Sequence, residues 1–189
     1  DLSYDYLDDI IFTVTGGSGD GDVSFTVPGQ LFNGNTLVSD PNVGEYTVIA
    51  TKDGGQNYND ISDTFTFSVV PIGQLIAFDF SGLDVSYDYS ETIILDTSGG
   101  SGTGIVTFTL SGDTVESPLK DISAGSYSLV ATKAADANYN DISINTTLII
   151  NKIDQSGDFR ITNIDLSYDY LDDIIFTVTG GSGDGDVSF

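Results

Sequence analysis

Residues 99–110 read GGSGTGIVTFTL, and residues 121–143 read DISAGSYSLVATKAADANYNDIS. In both stretches every second residue of the central run is apolar, from Val106 in the first and from Tyr127 in the second. A period of two is typical of a β-strand with one buried face. Clusters of Gly, Asn, Asp and Ser flank these runs and favour turns. Short strands separated by frequent turns, with no sustained helical period in the chain, predict an all-β sandwich.

An internal repeat sets the domain organisation. Residues 165–189 repeat residues 1–25 at all 25 positions, at an offset of 164 residues. A weaker repeat, at an offset of 81 residues and so about half that spacing, matches residues 57–62, NYNDIS, with residues 138–143. Repeats at a fixed period indicate an array of similar units. The sequence therefore predicts tandem modules of about 82 residues, in two alternating types.

The second repeat also predicts where modules begin. Ile72 and Ile153 stand at equivalent places, each 15 residues before a Tyr. We expect an incomplete module at residues 1–71 that lacks its first strand, a complete one at 72–152, and the opening strands of a third at 153–189. The first strand of the third is expected at 158–164. The predicted core consists of apolar members of the alternating runs: Phe25, Tyr46, Phe65, Phe67, Phe108, Tyr127, Leu129, Leu148 and Ile150.

A tyrosine at the start of a late strand sharpens the fold assignment. Tyr46 follows Gly44 by two residues, and Tyr127 follows Gly125 in the same way. This pattern is typical of the tyrosine corner of immunoglobulin domains, in which the tyrosine hydroxyl bonds to backbone a few residues upstream. The predicted fold is therefore all-β, with tandem immunoglobulin-like β-sandwich modules.

Together with LIINK at residues 148–152, the two stretches quoted above resemble the Ig-like extender repeats of giant repetitive bacterial surface adhesins, RTX-type adhesins included. The resemblance covers the whole chain and is specific for the module type. It implies a β-sandwich, an extracellular location on the bacterial cell surface, and a role in spacing an adhesive tip from the envelope.

Composition excludes several classes of function. The chain has 29 acidic and 5 basic residues, a net charge of −24, and neither His nor Cys. Serine or cysteine catalysis that uses a histidine base is therefore impossible within it, and most zinc or haem sites lack ligands. So negative a surface repels nucleic acid, and no segment approaches the length of a membrane span. We expect no enzyme, no required cofactor, no nucleic-acid partner and no membrane insertion.

Calcium between modules is the candidate cofactor. Oxygen-bearing side chains alternate at Asp136, Asn138 and Asn140 and continue to Asp141, as at the start of a calcium loop. The glycine and distal glutamate of that loop type are absent, so an inter-strand loop bonded to its own backbone is the competing interpretation. The turn holding Asp5, equivalent to Asp88, should face this loop of the next module. The candidate ligands are Asp5, Asp88, Asp136, Asn138 and Asp141.

The neighbouring repeats of the same chain are the expected partners. The absent first strand of the N-terminal module would leave apolar surface and unpaired backbone groups. Residues 153–189 contain a strand of the missing type, so we expect them to complete the N-terminal module of another molecule, head to tail. The leading function is a structural extender of a surface adhesin. The alternative is a ligand- or calcium-binding Ig-like module.

Overall fold

The computed structural model describes residues 2–162 and 167–188, and every helix or strand in these ranges is a β-strand. The N-terminal module contains β1 (Leu2–Asp5), β2 (Val23–Thr26), β3 (Phe32–Asn33), β4 (Thr36–Leu37), β5 (Gly44–Lys52) and β6 (Ile61–Val70). The central module contains β7 (Phe78–Phe80), β8 (Ser86–Asp88), β9 (Thr97–Gly99), β10 (Val106–Leu110), β11 (Asp113–Val115), β12 (Gly125–Lys133) and β13 (Ile142–Asn151). The strands β14 (Arg160–Thr162) and β15 (Thr177–Thr179) follow. The all-β prediction is confirmed.

Each module has its own main sheet, built on a long antiparallel hairpin. In the N-terminal module the strand order is β1-β6-β5-β2, and in the central module it is β11-β10-β12-β13-β8. The hairpins β5–β6 and β12–β13 pair in the same register, since Tyr46 lies opposite Phe67 and Tyr127 opposite Leu148. In each module an early strand, β1 or β8, lies parallel to the last strand. The same four-strand arrangement thus occurs in both modules, and the central module adds β11 at one edge.

Each module has its own apolar core. The first core is formed by residues between 10 and 69 and the second by residues between 93 and 150. Of the predicted core residues, Phe67, Leu129, Leu148 and Ile150 are buried. Four aromatic residues pack against the cores while partly buried: Phe25, Tyr46, Phe108 and Tyr127. A separate core for each repeat fits the tandem immunoglobulin-like β-sandwich arrangement predicted from sequence.

One core prediction is wrong. Phe65 is 48% exposed although it shares a strand face with the buried Phe67 and Val69. Alternation places all three side chains on the same side of β6. At the Phe65 end, however, the side chain lines an open groove instead of meeting a second layer. Sequence periodicity identified the correct face but not whether another strand covers it.

The small two-stranded sheets distinguish the repeats. In the central module β7 pairs antiparallel with β9, and β14 pairs in the same way with β15. Strand β14 lies within the predicted first strand at 158–164, of which residues 163 and 164 fall outside the described residues. The N-terminal counterpart of β15 is residues 13–15, identical in sequence, but no strand among the described residues pairs with it. No helix in the described part of the chain could span a membrane.

Candidate functional site: the module joint and the open groove

The loop between β12 and β13 is organised by one carboxylate. The Asp136 Oδ2 accepts hydrogen bonds from the Thr103 backbone N–H at 2.6 Å and from the Thr103 hydroxyl at 3.2 Å. Its Oδ1 accepts from the backbone N–H groups of Asn138, at 2.9 Å, and Tyr139, at 3.0 Å. These bonds, led by that from the Thr103 backbone, favour the ionised form and lower the pKa of Asp136 to about 2. The carboxylate therefore fixes the loop that carries Asn138 and Tyr139.

This loop touches the N-terminal module directly. The Asn138 Oδ1 accepts a hydrogen bond from the Val43 backbone N–H at 3.0 Å, and its Nδ2 donates to the Asn42 Oδ1 at 2.9 Å. The ring of Tyr139 meets the ring of Tyr6 edge to face, with centroids 5.5 Å apart. Because the Asn138 side-chain amide both donates and accepts, it fixes the position and the orientation of the loop against the N-terminal module. These contacts form the module joint, which we define as the 136–140 loop with Tyr6, Asn42 and Val43.

The linker between the modules, residues 71–77, is bonded to the same loop. The Ile72 N–H donates to the Asn138 carbonyl at 3.1 Å, and its carbonyl accepts from the Asn140 N–H at 2.8 Å. The Gln74 side-chain amide donates to the Asn140 carbonyl. Just beyond, the buried Ser101 hydroxyl accepts from two linker N–H groups at 2.9 and 3.2 Å. Since its backbone is bonded to the central module at residues 72, 75 and 76, the linker is part of that module and not a flexible tether.

The predicted tyrosine corners are confirmed, and one of them supports the joint. The Tyr46 hydroxyl donates to the Asn42 carbonyl at 2.7 Å, and the Tyr127 hydroxyl donates to the Ser123 carbonyl at 2.8 Å. Asn42 therefore uses its backbone for the corner and its side chain for Asn138. The sequence reasoning missed Asn42 and Val43 as joint residues. The only available signal was their position just upstream of the corner tyrosine.

The structure brings some of the calcium candidates together but not all of them. Asp5 precedes Tyr6, so its turn lies beside the joint that contains Asp136 and Asn138. Asp88 lies beside Asn151, at the opposite end of β13 from the loop. The Asp136 and Asn138 oxygens accept protein hydrogen bonds, and the exposed Asp141 carboxylate has no hydrogen bond to a described residue. Across residues 2–162 and 167–188, no three acidic side chains are grouped as metal ligands. A calcium site at the joint stays a prediction.

A groove of about 820 Å³ opens along the N-terminal module. Apolar side chains from several strands line it, and many are exposed: Leu2 at 44%, Ile11 at 55%, Val14 at 43%, Phe65 at 48%. Ala50 is partly exposed here, whereas its equivalent in the central module, Ala131, is fully buried. In the central module the corresponding space lies beneath β7.

Three equivalent glycines show, at atomic detail, that this space is open in the N-terminal module and filled in the central module. Gly16, Gly99 and Gly180 all have a positive φ, between 80° and 91°. A Cβ at Gly99 would overlap the Ala77 carbonyl oxygen, and one at Gly180 would overlap the Asp158 carbonyl oxygen. Around Gly16 no atom lies within 4 Å of such a position. Gly99 and Gly180 therefore lie against backbone just before β7 and β14, whereas Gly16 faces open space.

Comparison with known proteins gives no family assignment. No family model matches the chain, and no curated protein matches it. Among solved structures, the fibronectin(III)-like modules of Clostridium thermocellum CbhA are similar over 80% of this chain and 90% of that one, at 15% identity and a TM-score of 0.36. Drosophila N-cadherin EC1-4 is similar over 80% of this chain and 47% of that one, at 14% identity and a TM-score of 0.37. Because both scores are below 0.5, the fold assignment rests on the strand order and cores described above.

Proposed function

We propose that this chain is an extender segment of a large bacterial cell-surface adhesin, a non-enzymatic spacer that holds an adhesive tip away from the envelope. The observation that carries the proposal is the parallel pairing of β1 with β6 and of β8 with β13. In each module these two strands are the early strand and the last strand of the main sheet, so they receive tension transmitted along the chain.

The direction of pairing decides how such a load acts. In the central module, tension reaches β8 through the linker and β7 and leaves at the end of β13, so it slides the parallel strands β8 and β13 past each other. The bonds that join them then share the load. They include the Ile149 N–H to Val85 carbonyl and Tyr89 N–H to Asn151 carbonyl bonds, both 2.9 Å. An antiparallel pair loaded at one end would instead open one bond at a time. The same sharing applies to β1 and β6.

The bonded linker and the repeat support the same function. The module joint fixes one module against the next through Asn138 and Ile72, as a spacer of defined length requires. Copies that agree at all 25 positions favour a role served by repetition rather than by one specialised site. The net charge of −24 favours mutual repulsion between neighbouring molecules and solubility outside the cell.

Single-molecule stretching of the 189-residue chain tests the proposal. We expect the two cores to rupture in separate high-force events, because the parallel strand pair of each module resists in shear. The variant Tyr89→Pro removes the N–H that donates to Asn151 and should lower the force of one event. Its matched control is Tyr170→Pro, at the equivalent but 93% exposed position, which should change neither event. Low rupture forces in the unmodified chain, or equal forces in both variants, would contradict a load-bearing role.

A further inference from the structure

We propose that the groove of the N-terminal module accepts strand β14 of a second copy of this chain, so that copies join head to tail. The occupant is identified by the repeat itself, since the strand that fills the corresponding space in the central module has a counterpart at β14. This inference depends on the geometry of the modules and is made for the 189-residue chain. Within a longer array of these repeats, the equivalent strand of the preceding repeat would occupy the same groove.

The central module shows what the groove holds when it is filled. Strand β7 pairs with β9 and lies against β13. Its Phe78 is 3% exposed, and Phe80 packs against the core. The Ala77 carbonyl accepts a hydrogen bond from the Gly100 N–H at 3.1 Å, next to Gly99. The open space at Gly16 therefore corresponds to the place of a strand with two inward aromatic or aliphatic side chains.

Strand β14 carries that pattern and does not bury it. Phe159 and Ile161 correspond to Phe78 and Phe80, yet they are 58% and 51% exposed. In the described chain β14 pairs only with β15, with Ile161 opposite Val178. A two-stranded sheet without a packed face is marginal in water. Any site that removes these apolar side chains from solvent therefore lowers the free energy of the chain.

Transfer of β14 to the groove keeps its backbone pairing unchanged. Thr177–Thr179 and Thr13–Thr15 have the same sequence, TVT, and both precede a GGSG turn. In the new pair Ile161 would lie opposite Val14 instead of Val178. The hydrogen bonds lost from β15 are recovered from an identical strand, while Phe159 and Ile161 enter a groove lined by Phe12, Phe25 and Phe65. The exchange therefore adds apolar burial at no cost in pairing.

The ends of the chain repeat the module joint as well. Ile153 and Gln155 correspond to the linker residues Ile72 and Gln74. At the free pole of the N-terminal module, Asn57 and Tyr58 correspond to Asn138 and Tyr139, and Tyr58 is 57% exposed. A donor that places β14 in the groove brings Ile153 beside Tyr58, as Ile72 lies beside Tyr139. The contact uses different surfaces on the two copies, so it does not close and extends into filaments.

Sedimentation velocity of the full chain over a range of concentrations tests the proposal. We expect linear oligomers that grow with concentration, and more so in added salt, which screens the repulsion between copies of charge −24. Phe159→Asp and Val14→Asp should each weaken association by about tenfold or more. The matched control is Val178→Asp, the same change in the identical sequence context, which should leave association intact or raise it by releasing β14.

Cysteine cross-linking checks the register, because the chain has no cysteine of its own. Val14→Cys combined with Ile161→Cys should give a ladder of covalent oligomers on oxidation. Val14→Cys combined with Arg160→Cys, whose side chain leaves the opposite face of β14, should not. A labelled peptide of residues 153–162 should bind the unmodified chain but not the Val14→Asp variant. The proposal would be overturned if the unmodified chain stayed monomeric and did not bind the peptide, or if the Phe159→Asp variant still formed oligomers.

Discussion

Removal of the corner tyrosine of the central module should destabilise that module through two separable losses. The Tyr127 hydroxyl donates to the Ser123 carbonyl at 2.8 Å, and its ring packs, partly buried, against the second core. Tyr127→Phe deletes only the hydrogen bond, which stabilises the folded state by about 1 kcal/mol. Tyr127→Ala also deletes the ring. Full truncation of a buried aromatic costs ~3–5 kcal/mol, so for a partly buried ring we expect a total of about 3 kcal/mol.

Calorimetry of the full chain measures these losses, with one transition expected for each of the two cores. In a module of this size 1 kcal/mol shifts Tm by about 4–8 °C. The central transition should therefore fall by ~5 °C for Tyr127→Phe and by ~15 °C for Tyr127→Ala, while the other transition stays in place.

Tyr46→Phe is the matched variant in the N-terminal module. It should lower the other transition and also loosen the module joint, because the Asn42 that accepts the Tyr46 hydroxyl is the partner of Asn138. An unchanged melting curve for Tyr127→Ala would refute the placement of this ring against the core.

Two further predictions concern the loop at the joint. The pKa of Asp136 is lowered to about 2 by its hydrogen bonds to Thr103 and its own loop, so the ionised carboxylate stabilises the fold above pH ~4 and that contribution is lost as pH falls toward 2. Asp136→Asn should lower the Tm of the central module at pH 7 and flatten this acid dependence. The control Asp141→Asn, at an exposed acid of the same loop, should do neither. Asn138→Ala should broaden the range of module orientations seen by X-ray scattering in dilute solution, whereas Asn57→Ala, at the free pole, should not. Scattering and melting in calcium and in chelator complete this test. A large change in length or Tm on chelation would support an ion at the joint, and identical curves would leave the hydrogen bonds and the Tyr6–Tyr139 ring contact to support it.

Local pattern was enough to predict the fold of each repeat. Alternation along residues 106–110 and 125–131 identified strands, because side chains in a strand point to opposite faces in turn. The Gly-x-Tyr spacing identified both tyrosine corners, since that bond joins residues only four apart and depends little on the rest of the chain. The repeat itself located Ile72 and the strand at β14 by comparison of equivalent residues.

Contacts between residues far apart in the chain required the tertiary structure. Asn42 and Asn138 are 96 residues apart, and nothing in either local sequence indicates that they meet. Asp136 was predicted as a cation ligand, and its oxygens accept four hydrogen bonds, of which two come from Thr103 in another loop. The parallel pairing of the early and last strands was likewise invisible, because a hydrophobic period does not specify direction.

The sequence by itself determined which side chains face inward, because that depends on the two-residue period of a strand. Only the tertiary structure decided whether those side chains are covered, because burial depends on a second strand that arrives from elsewhere. Phe67 and Phe65 share a face of β6, yet one is 1% exposed and the other 48%. Gly16 and Gly99 share a sequence context, yet only Gly99 contacts a neighbouring strand.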